Sequence, residues 1–143
     1  LGEDMEMSVV KELIRTEDNG KISFGNYELT VKSKLSDFEF DGDMYKVKTY
    51  NEITKLERNG MFVYESVPGT TVLDLDAEEN GMSFVVEGPK DVQITVELEE
   101  DTSYKVIIDG VEAGEMKTNL GGKLSFSVEL EQAEQVSVNI QKL

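Results

Sequence analysis

Cysteine, histidine and tryptophan are absent from this 143-residue chain, and proline occurs only twice. Without cysteine there are no disulfides, thiolate nucleophiles or zinc–thiolate sites. Without histidine the usual general base and the commonest metal ligand are missing. Lack of cysteine leaves the compartment open, because cysteine-free chains occur on both sides of the membrane. Arginine is scarce as well, limited to Arg15 and Arg58. No apolar run approaches the length of a membrane span. No Gly-x-Ser-x-Gly elbow, phosphate loop or dinucleotide fingerprint occurs, so no cofactor is expected and the chain reads as non-catalytic.

What the chain has in excess is acid: 30 Asp and Glu stand against 14 Lys and Arg, a net charge of −16. Nine of the 14 cations lie in residues 1–70 with 14 of the acids, which leaves residues 71–143 the more acidic part. Such a field repels nucleic acid and anionic lipid, whose binding needs clustered positive charge. Solubility is the plain meaning of the acidity. The sequence opens at Leu1 rather than at a methionine. That fits trimming upstream, a removed signal peptide included, or a natural start at Met7 with residues 1–6 a charged, disordered extension. The cytoplasm is the slightly favoured compartment.

Glycine-containing turns punctuate the sequence: Asp18-Asn19-Gly20, Asp41-Gly42, Asn59-Gly60, Asn80-Gly81, Asp109-Gly110 and Gly121-Gly122. Asn-Gly and Asp-Gly supply the positive φ angles that tight hairpins need. Between the turns, apolar and polar residues alternate with period two, as in Tyr104, Val106 and Ile108, or Leu124, Phe126 and Val128. The pattern predicts an all-β protein. Val9 to Thr16 pairs with Lys21 to Val31, and Phe38 to Phe40 with Met44 to Tyr50. Val9 to Arg15 and Asn51 to Arg58 read either as short helices or as strands. For the second, the β-rich surroundings favour a hairpin through Asn59-Gly60. Val67-Pro68-Gly69 is the expected boundary between a smaller N-terminal β unit, residues 8–67, and a C-terminal seven-stranded immunoglobulin-like β-sandwich, residues 70–143.

Ser23-Phe-Gly-Asn-Tyr-Glu-Leu29, Asp37-Phe38, Asp41-Gly-Asp-Met-Tyr-Lys-Val-Lys-Thr49, Glu52-Ile-Thr-Lys-Leu-Glu57 through Val67-Pro-Gly-Thr70, and Lys117-Thr-Asn-Leu-Gly-Gly-Lys-Leu-Ser-Phe-Ser127 together resemble a family of small, uncharacterised all-β proteins of anaerobic Gram-positive bacteria. The resemblance spans nearly the whole chain and implies a shared fold rather than an activity. Some members carry an automatic endosialidase label. Sialidase chemistry calls for a large propeller-type domain and an arginine cluster, and two arginines do not make one. The second half is also similar in style to β-sandwich modules appended to carbohydrate-active enzymes.

Three constellations stand out. Asp37, Glu39, Asp41 and Asp43 space their oxygens like the opening of a calcium loop, but Lys48 stands where the bidentate Glu belongs. Asp74, Asp76, Glu78 and Asn80 have their Gly two positions too late for that loop. Both read as solvated acidic strands, and no metal site is expected. The third is Tyr45-Lys-Val-Lys-Thr-Tyr50, which as a strand puts Lys46, Lys48 and Tyr50 on one face. These three are the candidate ligand-binding residues, suited to a carboxylate or sulfate. The plainer reading is an edge strand guarded by lysine. The chain is thus expected to be a binding or structural module whose partner is another protein, its own copy included. A carbohydrate-binding module is the alternative and a small glycan-acting hydrolase the second alternative. Paired carboxylates for hydrolysis are too numerous among 30 acids for any pair to be singled out.

Overall fold

A computed structural model of the protein describes residues 9–133 and 135–143. The expected charged extension at 1–6 and the start at Met7 lie outside the described residues. Thirteen strands alternate with short turns: β1 (Ile14–Thr16), β2 (Ile22–Phe24), β3 (Ser33–Phe40), β4 (Asp43–Tyr50), β5 (Ile53–Arg58), β6 (Met61–Val67), β7 (Thr71–Glu78), β8 (Gly81–Glu87), β9 (Val92–Glu97), β10 (Ser103–Ile108), β11 (Val111–Lys117), β12 (Lys123–Val128) and β13 (Val136–Lys142). Residues 53–58 are therefore the strand that the surroundings favoured. Of the other ambiguous segment, only the part from Ile14 on is strand.

The strands form two antiparallel sheets. One has seven strands in the order β1-β2-β7-β8-β13-β10-β11, the other six in the order β12-β9-β6-β5-β4-β3. Each sheet draws strands from both sides of Val67-Pro68, and a single hydrophobic cluster joins residues from Ile14 to Ile140. The expected boundary is thus where the chain passes from one sheet to the other, inside a shared core. Seven strands do follow it, as expected, but only at the level of two packed antiparallel sheets do they match the immunoglobulin plan. There the second strand lies beside the fifth, whereas here β8 lies beside β13 and β11 is an edge.

Local chemistry explains the hairpins. Asp41-Gly42, Asn59-Gly60 and Asp109-Gly110 each put both residues at positive φ, between 51° and 84°. That is the type I′ geometry whose twist matches paired strands. The Asn80-Gly81 signal falls one residue off. Glu78 pairs with Gly81, so Glu79 and Asn80 make the turn. Gly81 opens β8 at φ +155°, where a Cβ would sit 1.9 Å from the Ile140 carbonyl oxygen.

Alternation sorts the faces. Tyr45, Val47 and Thr49 of β4 point inward and are buried, as do Leu124, Phe126 and Val128 of β12. At the centre, Tyr64 meets Phe24 and Phe84 edge-on, with ring centroids 5.3 and 5.6 Å apart. Aromatic quadrupoles favour that arrangement. Tyr64 also carries its hydroxyl into the core, where burial raises the phenol's pKa and keeps it protonated.

That hydroxyl belongs to a buried polar network at the sheet crossing. Tyr64 Oη and Ser66 Oγ lie 2.8 and 2.7 Å from Thr70 Oγ1. Thr54 Oγ1 donates to the Thr70 carbonyl at 2.8 Å and accepts from the Thr70 N–H at 3.0 Å. Thr49 Oγ1 lies 2.8 Å from Thr54 Oγ1 and accepts the Asn26 N–H at 2.9 Å. Small residues make the approach possible. A Cβ on Gly25 would sit 2.5 Å from the Thr70 carbonyl oxygen, and one on Gly69 would sit 1.9 Å from that of Tyr50. Nearby, the buried Glu87 accepts from Tyr27 Oη at 3.0 Å and from Gln135 Nε2 at 3.2 Å.

Two stability predictions follow from these contacts. Phe126→Ala should cost roughly 3–5 kcal/mol and Ser125→Ala, on the exposed face, within about 0.5 kcal/mol. Equal shifts in urea midpoint would show the β12 register to be wrong. Thr54→Val keeps the shape but strips Thr70 of its N–H and C=O partners, a loss of roughly 1–3 kcal/mol. A denaturation midpoint unchanged from wild type would remove the network from any structural role.

Candidate functional site

β4 is not an edge strand: β3 lies outside it and β5 on its other side. The lysine-guarded edge expected for Lys46, Lys48 and Tyr50 is therefore corrected. Their side chains stand on the open outer face of the six-stranded sheet. The register builds a row across three strands, with Lys34 directly opposite Lys48 and Lys48 directly opposite Lys55. Neighbouring strands are ~4.8 Å apart, so three ammonium stems rise side by side. Lys34, Lys46, Lys48 and Lys55, with Glu57, line a shallow depression there.

Lys34 reaches this face only because β3 is bulged. The hairpin pairs Phe40 with Asp43 and Phe38 with Tyr45, then shifts between Leu35 and Phe38, so that two residues, Ser36 and Asp37, oppose Lys46. Asp37 takes the strain at φ +60°. An unshifted register would set Thr49 opposite Lys34 and turn that lysine toward the core face. Alternation in β4 alone showed Lys46, Lys48 and Tyr50, but it could not show Lys34 and Lys55. Finding those two needed the bulge and the turn at Asn51-Glu52, whose signal is weaker than Asn-Gly.

The electrostatics of the row are those of like charges held together. Lys48 has its pKa lowered, first by burial and then by Lys32, Lys55 and Lys34, with Glu65 opposing. Lys55 gains a carboxylate in Glu57 at 3.6 Å. The aromatic rings here are already covered by ammonium groups. Lys32 Nζ stands 5.8 Å from the Tyr50 centroid, and Lys55 and Lys123 stand 5.7 and 4.7 Å from that of Phe62. Past Lys55 the row continues as Glu65, Thr95 and Ser125, the last two joined at 2.7 Å.

The acidic constellations are spread out. Asp37, Glu39, Asp41 and Asp43 run along the β3–β4 hairpin, and Asp43 accepts a hydrogen bond from Asn59 Nδ2 at 2.9 Å. Asp74 accepts from Asn19 Nδ2 at 3.1 Å, and Asp76 lies 4.0 Å from Lys21 Nζ. Asp76 raises the pKa of Glu78, by a side-chain hydrogen bond and by its charge. Among the described residues no group of three or more acidic side chains converges to hold a metal ion. A separate cleft of about 630 Å³ opens between the sheets, lined by Asp43, Arg58, Glu78, Glu97, Met82 and Tyr104 among others.

With models of protein families, with curated proteins and with solved structures, comparison finds no match.

A lysine whose pKa falls on folding carries a penalty while it is charged. The penalty is present below the lowered folded value and fades as pH rises through it toward the ordinary 10.5. Lys48→Gln should therefore raise the melting temperature at neutral pH and low salt, with the gain shrinking by about 1 M salt, where the Debye length is about 3 Å. A lower melting temperature for the variant would mean that Lys48 is held by attraction to Glu65. Calcium and magnesium at equal millimolar concentration should shift the melting temperature alike, through screening alone. A calcium-selective rise lost in Asp41→Ala or Asp76→Ala would reveal an ion site.

Proposed function

We propose that this protein is a non-catalytic binding module that holds an anionic partner on the outer face of its six-stranded sheet. One observation carries the reading: Lys48, inside the sheet, stands directly opposite both Lys34 on the edge strand and Lys55 on the inner one, on a chain of net charge −16. Like charges in directly paired register destabilise a sheet. Local rules broken with only partial compensation, here from Glu57 and Glu65, point to sites used for something else. Guarding an edge would need lysine only on β3. Strand addition at the β3 edge is disfavoured, because that edge carries Lys34 and a bulge. The kinship with the family of small all-β proteins belongs to the same proposal and adds no activity to it.

Sulfate titrated against chloride at matched ionic strength tests the reading, followed by backbone amide shifts. Saturable shifts at Lys34, Lys48 and Lys55, lost in Lys48→Gln, are the expected result. Shifts no different from those in chloride would leave the face without an anion site.

A further inference from the structure

A sheet edge is a row of backbone groups without partners, and folded proteins protect their edges with charge, bulges or short strands. The two sheets end in β1 and β11, and in β12 and β3. β1 has only three residues, and β3 carries Lys34 and a bulge. β11 carries Glu112, Glu115 and Lys117, with a register shift against β10. β12 is the exception. It pairs with β9 without a break from Lys123 to Val128, and no charged residue follows Lys123 within the strand.

The open groups on that edge are few and can be named. Gly122 points its carbonyl toward β9, where the Leu98 N–H donates to it at 2.8 Å. Backbone groups alternate sides along an antiparallel strand, so Lys123, Ser125 and Ser127 turn theirs outward. Asn119 meets both of those on Lys123. Its Oδ1 accepts the Lys123 N–H at 2.9 Å, and its own N–H donates to the Lys123 carbonyl at 3.2 Å. Among the described residues nothing hydrogen-bonds the outward N–H and C=O of Ser125 or Ser127. Both serines are exposed, and their hydroxyls are engaged with Thr95 and Gln93 of β9 at 2.7 and 2.8 Å, away from the edge.

These open groups complement themselves. In an antiparallel copy with its two-fold axis at Phe126, Ser125 falls opposite Ser127 of the other copy, and every outward N–H of the two serines meets a C=O. The same register sets Lys123, which holds Glu97 at 3.0 Å, opposite the exposed Glu129 of the other copy. An unrelated strand needs its own matching charges at both ends, whereas a second copy supplies them by symmetry. We infer that β12 pairs with β12 of a second copy, centred on Phe126, so that two six-stranded sheets continue as one. The inference stands apart from the anion-binding reading above, because β3, β4 and β5 lie toward the other end of the sheet.

Sedimentation of the intact protein from micromolar to millimolar concentration should show a monomer–dimer equilibrium. Ser127→Pro removes an outward N–H and leaves the β9 ladder whole, since proline is tolerated where the N–H faces away from the sheet. It should weaken the dimer by about tenfold or more, because symmetry removes the interchain hydrogen bond from both copies. The melting temperature of the dilute protein should stay close to that of wild type. Ser125→Lys guards the edge without altering the backbone and should weaken the dimer as well. The chain has no cysteine, so Ser125→Cys protein mixed with Ser127→Cys protein should oxidise to a linked dimer in higher yield than either variant alone. Chains of net charge −16 repel one another, so added salt should tighten this dimer. A dimer that salt loosens and Lys48→Gln abolishes would place the contact on the lysine row and overturn the strand pairing. So would a monomer at every concentration, or a dimer indifferent to both Ser127→Pro and Ser125→Lys.

Discussion

The packing of this molecule turns on one buried residue, Thr70, at the point where the chain leaves one sheet for the other. A crossing strand has no ladder partner for its backbone, and an unpaired N–H or C=O in the core costs as much as a lost hydrogen bond. Thr54 takes both of those bonds, while Tyr64 and Ser66 meet the Thr70 hydroxyl. Thr54 is also directly opposite Thr49, and their hydroxyls touch. The β4–β5 register is therefore pinned from the core side. The next pair along the same ladder is Lys48 and Lys55, facing out. A slip by one residue would break the threonine network and scatter the lysines together. The buried network and the exposed charge row are the two faces of one register.

The same coupling accounts for how a strongly acidic chain keeps a positive surface. Repulsion among the lysines acts to spread them, and the flanking Glu57 and Glu65 offset only part of it. The hydroxyl network and the aromatic stack beneath supply the rigidity that holds the cations at strand spacing. On the proposed anion-binding reading, a face held in this way lowers the ordering cost of association.

The strands themselves were legible because alternation and the Asp-Gly and Asn-Gly turns report on local geometry. Tyr45, Val47 and Thr49 inward, with Lys46 and Lys48 outward, could be read from β4 alone. What local pattern could not carry was pairing order. Val67-Pro68-Gly69 has the look of a linker because proline interrupts a ladder, yet the interruption here serves a change of sheet. Nor does spacing show that β9 and β12 join the sheet of β3–β6 while β13 inserts between β8 and β10. The site was half visible for the same reason. Lys46, Lys48 and Tyr50 share a strand, whereas Lys34 arrives through a bulge that no sequence signal marks.

Strand order also bears on how the chain is made. On its inner side β6 pairs with β5, but its other neighbour is β9, and β2 has only β7 beyond β1. As the polypeptide leaves the ribosome, everything up to Val67 therefore emerges with an unpaired ladder and an uncovered apolar face. Closure waits for β7 through β9, and β13 must then find its place between strands already made. Long-range pairing of this kind is slow and exposes strand edges while it proceeds. The abundant surface carboxylates then have a use during synthesis as well as after it, keeping apart nascent chains whose two halves are each incomplete without the other.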